Sequence, residues 1–395
     1  MKSERILSID IFRGLTIFMM VFVNELAAVS GIPAWMKHVP TEVNGMTFVD
    51  VVFPAFLFIV GMSIPFAVQN RLSKDSNVLN FWKHALIRTG GLLILGLYMV
   101  NAEEMNVEAN PISKSLWSAV LYISAILVWN RYPRTEEKTK KQWQLALRIL
   151  GGIALLALFF LYKKGPAEAL TGMTTSWWGI LGLIGWAYLI SLIAYMTTGK
   201  QSWGIPAALA AFTLLVVGLK TDSLGDSSLL VWLQGQTGHM VHSILVMAGI
   251  ICSFLLRQNP GTEKAGPKIR NMLIAALLSI VIGYLLEPVG GISKNKATLS
   301  WAFYSSGICY ALFAAIYWIV DVKGYESWAN FVKPAGTNPL LTYILPGLFY
   351  AIVGYGFIPE FLNVGFGGII RSLVFSFFIL FLADQMTKRN IRLQL

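Results

Sequence analysis

Apolar runs close to bilayer length recur along this chain, and they constrain its fold more than any other feature. A membrane-crossing helix needs about 20 mostly apolar residues. Runs of that kind occupy 9–30, 47–69, 84–101, 115–130, 143–162, 176–197, 203–219, 239–256, 271–287, 298–320, 338–355 and 363–384. The shortest are 115–130 and 203–219. Only 13% of the residues are charged and 56% are hydrophobic, whereas soluble domains carry about 25% charged residues. Too little polar surface remains to coat a water-soluble globule. The expected fold is all-α: a polytopic integral membrane helical bundle of about twelve (ten to twelve) transmembrane helices, built as one domain over 1–395.

The net charge of +11 does not point to nucleic acid. The basic residues sit in short loops between apolar runs, and most fall in alternate loops, such as Arg71, Lys74 and Lys83, or Arg131 to Arg148. That asymmetry is the positive-inside pattern, and it places both termini on the cytoplasmic side. The first run ends in Ala28-Val29-Ser30, a pattern resembling a signal-peptide cleavage site. Asp10 and Arg13 interrupt its apolar core, however, so it is expected to be retained. Cys252 and Cys309 lie inside apolar runs with no CxxC or Cys/His cluster, which fits small buried hydrophobes and implies no disulfide framework.

Ionisable groups within spans are costly, and by default they mark function. Asp10 and Arg13 are three residues apart on one helical face and are able to pair. They either snorkel to the interface or present Arg13 to an anion such as a phosphate, which suits a guanidinium fork. Asn24 follows on the same face, about 16 Å further along the helix, as helix glue or as a polar group at a site. His38 lies in the first outer loop, GIPAWMKHVPTEVNGMTFVD. Trp35 and Met36 would hold it near the membrane, and Asn44 and Asp50 are close enough in sequence to orient its ring. A histidine neutral at physiological pH is the usual general base. His239 and His242 share a helix face, as interfacial packing, as lining of a site, or as a metal pair lacking an evident third ligand; no metal is expected.

Several motifs carry a family resemblance. SIDIFRG at 8–14, VFVN at 21–24, KH at 37–38, NGMTFVDVVFP at 44–54 and FLFIVGMS at 56–63 lie near the N-terminus. SKNKATLSWAF at 293–303, DVKG at 321–324 and GTNPLLTY at 336–343 follow later. Together they resemble the transmembrane part of the heparan-α-glucosaminide N-acetyltransferase family and its bacterial relatives. The resemblance implies transfer of an acetyl group from cytoplasmic acetyl-CoA to the amine of a terminal glucosamine across the membrane. It puts the active-site histidine at His38, the essential asparagine at Asn24 and the neighbouring carboxylate at Asp50. For such a transfer, the charge of Arg13 beside Asp10 suits a phosphate of acetyl-CoA, with the basic Arg71 and Lys333 as helpers. The acceptor, an amino sugar or glycan, would enter near His38, with Asn44, His239 and His242 as candidate lining, although the segment WLQGQTGHMVHS that holds both histidines does not map onto the lysosomal enzyme. A bacterial cytoplasmic membrane and a homodimer are further implications. The family's central Asp-Pro-x-Gly element is replaced here by Asp222-Ser223-Leu224-Gly225, and the spans near 176–219 are additional to the lysosomal enzyme's core.

Two other classes fit the helix count. A small-molecule transporter would use the polar groups within spans, although no inverted repeat or pair of broken helices is visible. A scaffold subunit would not depend on His38 or Asn24. Within the enzyme class, O-acetylation of an envelope glycan is the alternative to N-acetylation.

Overall fold

The computed structural model describes residues 6–198, 201, 203–220, 227–257, 265–354, 356 and 358–394. The variant element Asp222–Gly225 and residues 258–264 lie outside the described residues. In chain order the helices are α1 (Leu7–Ala27), α2 (Val49–Leu72), α3 (Val78–Glu103), α4 (Lys114–Trp129), α5 (Lys138–Leu161), α6 (Ile180–Thr198) and α7 (Gly204–Leu219). They continue as α8 (Ser228–Gly235), α9 (Thr237–Arg257), α10 (Ala265–Leu285), α11 (Leu299–Tyr317), α12 (Lys333–Thr337), α13 (Pro339–Val353) and α14 (Gly365–Lys388). A π-helical turn, Trp318–Val322, extends α11. There is no β-strand among the described residues.

Among the described residues nine of these helices are long and apolar enough to cross a membrane, and α4, α7 and α13 are shorter apolar helices. Each of the twelve apolar runs overlaps one of these elements. The chain is therefore read as an integral membrane protein of all-α class. Two short helices, α8 and α12, were not expected from the apolar pattern. The run at 338–355 begins at a break in which Asn338 is neither helical nor extended (φ −138°, ψ 59°) and Pro339 opens α13.

The chain divides into two compact units. The first comprises Met1–Thr16, Pro33–Thr89 and Leu183–Asn330; the second comprises Ile17–Ile32, Gly90–Gly182 and Phe331–Leu395.

In the first unit α2 packs on α9 through two glycines. A Cβ on Gly61 would lie 1.8 Å from the Val246 carbonyl oxygen, and one on Gly249 would lie 1.9 Å from that of Phe58. Small residues at a helix crossing let the backbones approach where lipid offers no hydrophobic drive to associate. Beside this crossing, Phe58, Met62, Cys252, Cys309, Tyr310 and Phe313 form a buried cluster, with the Tyr310 ring edge-on to Phe58 at 4.9 Å. The Tyr310 hydroxyl donates to the Ala248 carbonyl at 2.7 Å. Asp321, on the π turn after α11, caps α1: its carboxylate oxygens accept from the backbone N–H groups of Leu7 and Ser8 at 3.1 and 3.0 Å. An acidic cap satisfies otherwise orphaned donors at a helix start.

In the second unit α4 and α5 pair, and α4 also packs on α13, where Gly347 faces the Tyr122 ring. Glu25, near the end of α1, is buried. It accepts from the Tyr350 hydroxyl at 2.7 Å and lies 3.6 Å from the Arg371 guanidinium. Arg371 also donates to the Glu25 carbonyl and to Asn363.

Candidate active site

The segment between α1 and α2 carries His38. Pro33 starts a single 3-10 turn, Ala34–Met36, of which Met36 is buried. Trp35 stays exposed and packs on Phe48, with ring centroids 5.7 Å apart. The chain then returns to start α2, and Asp50 falls in its first turn, where the helix dipole favours a carboxylate.

Asp50 organises this segment. It is 1% exposed. One oxygen, Oδ1, accepts from His38 Nδ1 at 2.7 Å. The other, Oδ2, accepts from the backbone N–H groups of Thr47 at 3.0 Å and Val39 at 3.3 Å. An ionised carboxylate only accepts, so Nδ1 bears the proton, and in the neutral ring Nε2 keeps its lone pair. The backbone carbonyl of Asp50 accepts from Trp301 Nε1 at 3.0 Å, which ties α2 to α11 behind the pair.

The loop before α11 closes over the same place. Lys294 Nζ lies 3.2 Å from His38 Nε2 and 3.4 Å from Nδ1. Three cross-links lace the two loops together. Asn44 Oδ1 accepts from the Ile292 N–H at 2.6 Å. The Gly45 N–H donates to the Ile292 carbonyl at 3.0 Å. Asn295 Nδ2 donates to the Thr41 hydroxyl at 3.1 Å. Gly45 has open space where a Cβ would sit, whereas the φ of +67° at Gly291 and its contact with Asn44 exclude a side chain there. Burial holds the Lys294 amine below the ordinary lysine range, opposed by attraction from Asp50.

His242 is buried, its ring 5.5 Å from Phe53 and 5.9 Å from Trp301. His239 lies one turn earlier against Trp186, at 6.0 Å. Among the described residues no group of three or more His, Cys, Asp or Glu is placed to hold a metal ion.

At the other end of the first unit, Arg13 pairs with Asp10 at 3.0 Å and donates to the Ser63 hydroxyl at 3.0 Å. Arg71 is exposed in the last turn of α2. Asn24 and Lys333 belong to the second unit, and both are exposed. The first unit thus brings together His38 and Asp50, with the Asn44 strap on the same loop, and separately Asp10 with Arg13, while His242 packs on Trp301. Sequence reasoning missed Lys294, Trp301 and Asp321. The runs SKNKATLSWAF and DVKG contained them, but only as marks of resemblance.

A helical membrane protein with a histidine–carboxylate pair in the loop between its first two long helices is the class these features define. The chain belongs to the family described as a domain of unknown function (DUF5009), whose profile matches residues 5–237. It is also similar to heparan-alpha-glucosaminide N-acetyltransferase of Mus musculus, 26% identical over 375 residues, covering 87% of this chain and 53% of the relative. The Homo sapiens protein of the same name is 24% identical over 353 residues, covering 86% and 52%. The chain spans about half the length of these curated relatives.

Proposed function

We propose that this protein is a membrane-bound acetyltransferase. It moves the acetyl group of cytoplasmic acetyl-CoA to the amine of a glucosamine-type sugar on the opposite face of the bilayer. The observation that carries the reading is the His38–Asp50 pair, in a chain similar along most of its length to enzymes named for that reaction. In this reading some twelve helices cross the bilayer, both termini are cytoplasmic, and the loop bearing His38 faces outward.

Asp50 holds the proton on Nδ1, so Nε2 is free to take a proton from the attacking amine. The same nitrogen is the atom that would carry the acetyl group if transfer passes through an acetyl-histidine. Asn24 is assigned a donor role toward the oxyanion that develops on the acetyl carbonyl. Arg13, positioned by Asp10, is assigned to the anionic groups of CoA at the inner end, with Arg71 and Lys333 as further basic contacts. The acceptor is assigned to the outer side, where the Asn44 strap shapes the loop and His239 and His242 line the helix behind it.

The experiment is release of free CoA thiol by the purified protein in detergent. Acetyl-CoA is supplied with glucosamine, with a sugar bearing only hydroxyls, and with no acceptor, each beside His38→Ala. Glucosamine-dependent release that the variant loses is the expected result. Equal release by the variant removes His38 from the chemistry, and release with the hydroxyl sugar alone moves the reaction to O-acetylation.

A further inference from the structure

We propose that Lys294 is a catalytic residue whose ammonium group receives the acetyl carbonyl oxygen as that oxygen becomes negative. The inference rests on the acetyl-transfer reading and adds to it a group outside the family motifs that define the histidine and the asparagine.

Position comes first. Lys294 and His38 are 256 residues apart, and the ammonium nitrogen still lies 3.2 Å from Nε2, the ring nitrogen left unprotonated by Asp50. The contact is built into the backbone. The two loops are cross-linked through Asn44, Gly45 and Asn295. Lys294 itself sits in a tight turn in which the Ala297 N–H donates to the Lys294 carbonyl at 3.0 Å. Ala297 adopts φ +46° there, although it has a side chain. A non-glycine residue in the left-handed region is held there only by its surroundings, so the turn that presents Lys294 is over-determined.

Charge comes second. No carboxylate lies within ion-pair distance of Lys294 among the described residues, because Asp50 is already engaged by His38, Thr47 and Val39. Trp301, which donates to the Asp50 backbone carbonyl, packs on His242, and His242 packs on Phe53. A partly buried cation without a direct counter-ion, beside the base, complements a negative charge that exists only during reaction. Fixed donors aimed at developing charge in a poorly solvated place are the strongest single contributor to acyl transfer.

The acceptor N–H takes the place of the lysine at Nε2, and the freed ammonium turns to the adjacent carbonyl oxygen. The amine lone pair forms the bond to the acetyl carbon, and the amine proton passes to His38 Nε2. The C=O pair moves onto oxygen, where Lys294 holds it, then returns as the C–S bond breaks and the pair leaves on the CoA sulfur. Lys294 neither gains nor loses a proton.

The test uses the full chain in detergent. Lys294→Met, Lys294→Arg and the neighbouring Lys296→Met are compared by CoA release with glucosamine and by direct binding of acetyl-CoA. The expected result for Lys294→Met is a fall in kcat of about a hundredfold or more, with acetyl-CoA binding within about threefold of wild type. Lys294→Arg, which keeps a cationic donor, should recover part of the rate, and Lys296→Met should behave as wild type. A kcat for Lys294→Met within threefold of wild type overturns the proposal, as does an equal loss in Lys296→Met. If Lys294→Met is not monodisperse, the Lys294→Arg to wild-type comparison decides: no change in kcat then overturns it. A wild-type protein that binds acetyl-CoA and transfers nothing sinks the functional reading itself. Active wild type with an undiminished methionine variant sinks only the role of Lys294.

Discussion

At the residue scale, one carboxylate organises the segment that carries His38. Asp50 accepts from a histidine ring and two backbone amides while almost fully buried, so its hydrogen bonds both fold the loop and set the tautomer of His38. Asp50→Asn places an amide where an acceptor-only group stood and lets the ring reverse its protonation. Turnover in the CoA-release assay should fall by roughly 10²–10⁴-fold, with the protein still recovered from the membrane. Lys294 makes a separate prediction about stability. Its folded-state pKa is depressed by burial, so the cost of burying its charge is fully present below that folded value. The cost is relieved as pH rises toward the unfolded value of about 10.4. The thermal midpoint in detergent should therefore gain from raising the pH on the alkaline side of neutral, and the gain should shrink in Lys294→Met. Burial, reinforced by the nearby Lys296, depresses Lys220 in the same direction, so the gain should not vanish. The pairing of His38 with Asp50 was legible because the two lie only twelve residues apart, across the start of α2. The approach of Lys294 was not, since nothing in a sequence says which of several loops meet.

Among the helices, the apolar period told where segments lie but not how they touch. The run 115–130 became α4 (Lys114–Trp129), and 363–384 became α14 with two fewer residues at its start and four more at its end. The helix α8 was illegible because SLLVWLQG is too short to read as a span. The cap of α1 by Asp321 was illegible because its partners are more than 300 residues away in the chain. Contacts between helices also make unequal demands on glycines that look alike in sequence. Gly249 sits against the Phe58 backbone, whereas Gly90 on α3 has nothing within 4 Å of a Cβ position. Gly249→Ala should lower stability by about 1–3 kcal/mol or more through overpacking, with a clear drop in the thermal midpoint. Gly90→Ala should leave it within error, and equal behaviour of the two would show that α2 and α9 do not cross at this glycine.

For the molecule as a whole, composition alone excluded a soluble globule, and the apolar runs predicted the all-helical class. The division into two units was not legible, because each unit draws on three separate stretches of chain and α1 contributes to both. That interleaving has a consequence for biosynthesis. Glu25 leaves the ribosome long before its guanidinium partner Arg371, which follows 346 residues later. At about 5–20 residues per second, the carboxylate waits roughly 20–70 s in the nascent chain before its partner exists. During that time it must stay protonated, remain hydrated or be sheltered by the insertion machinery. A chain truncated before α14 should therefore leave α1 poorly retained and open to membrane proteases, and Glu25→Gln should rescue that truncated chain while weakening the intact one.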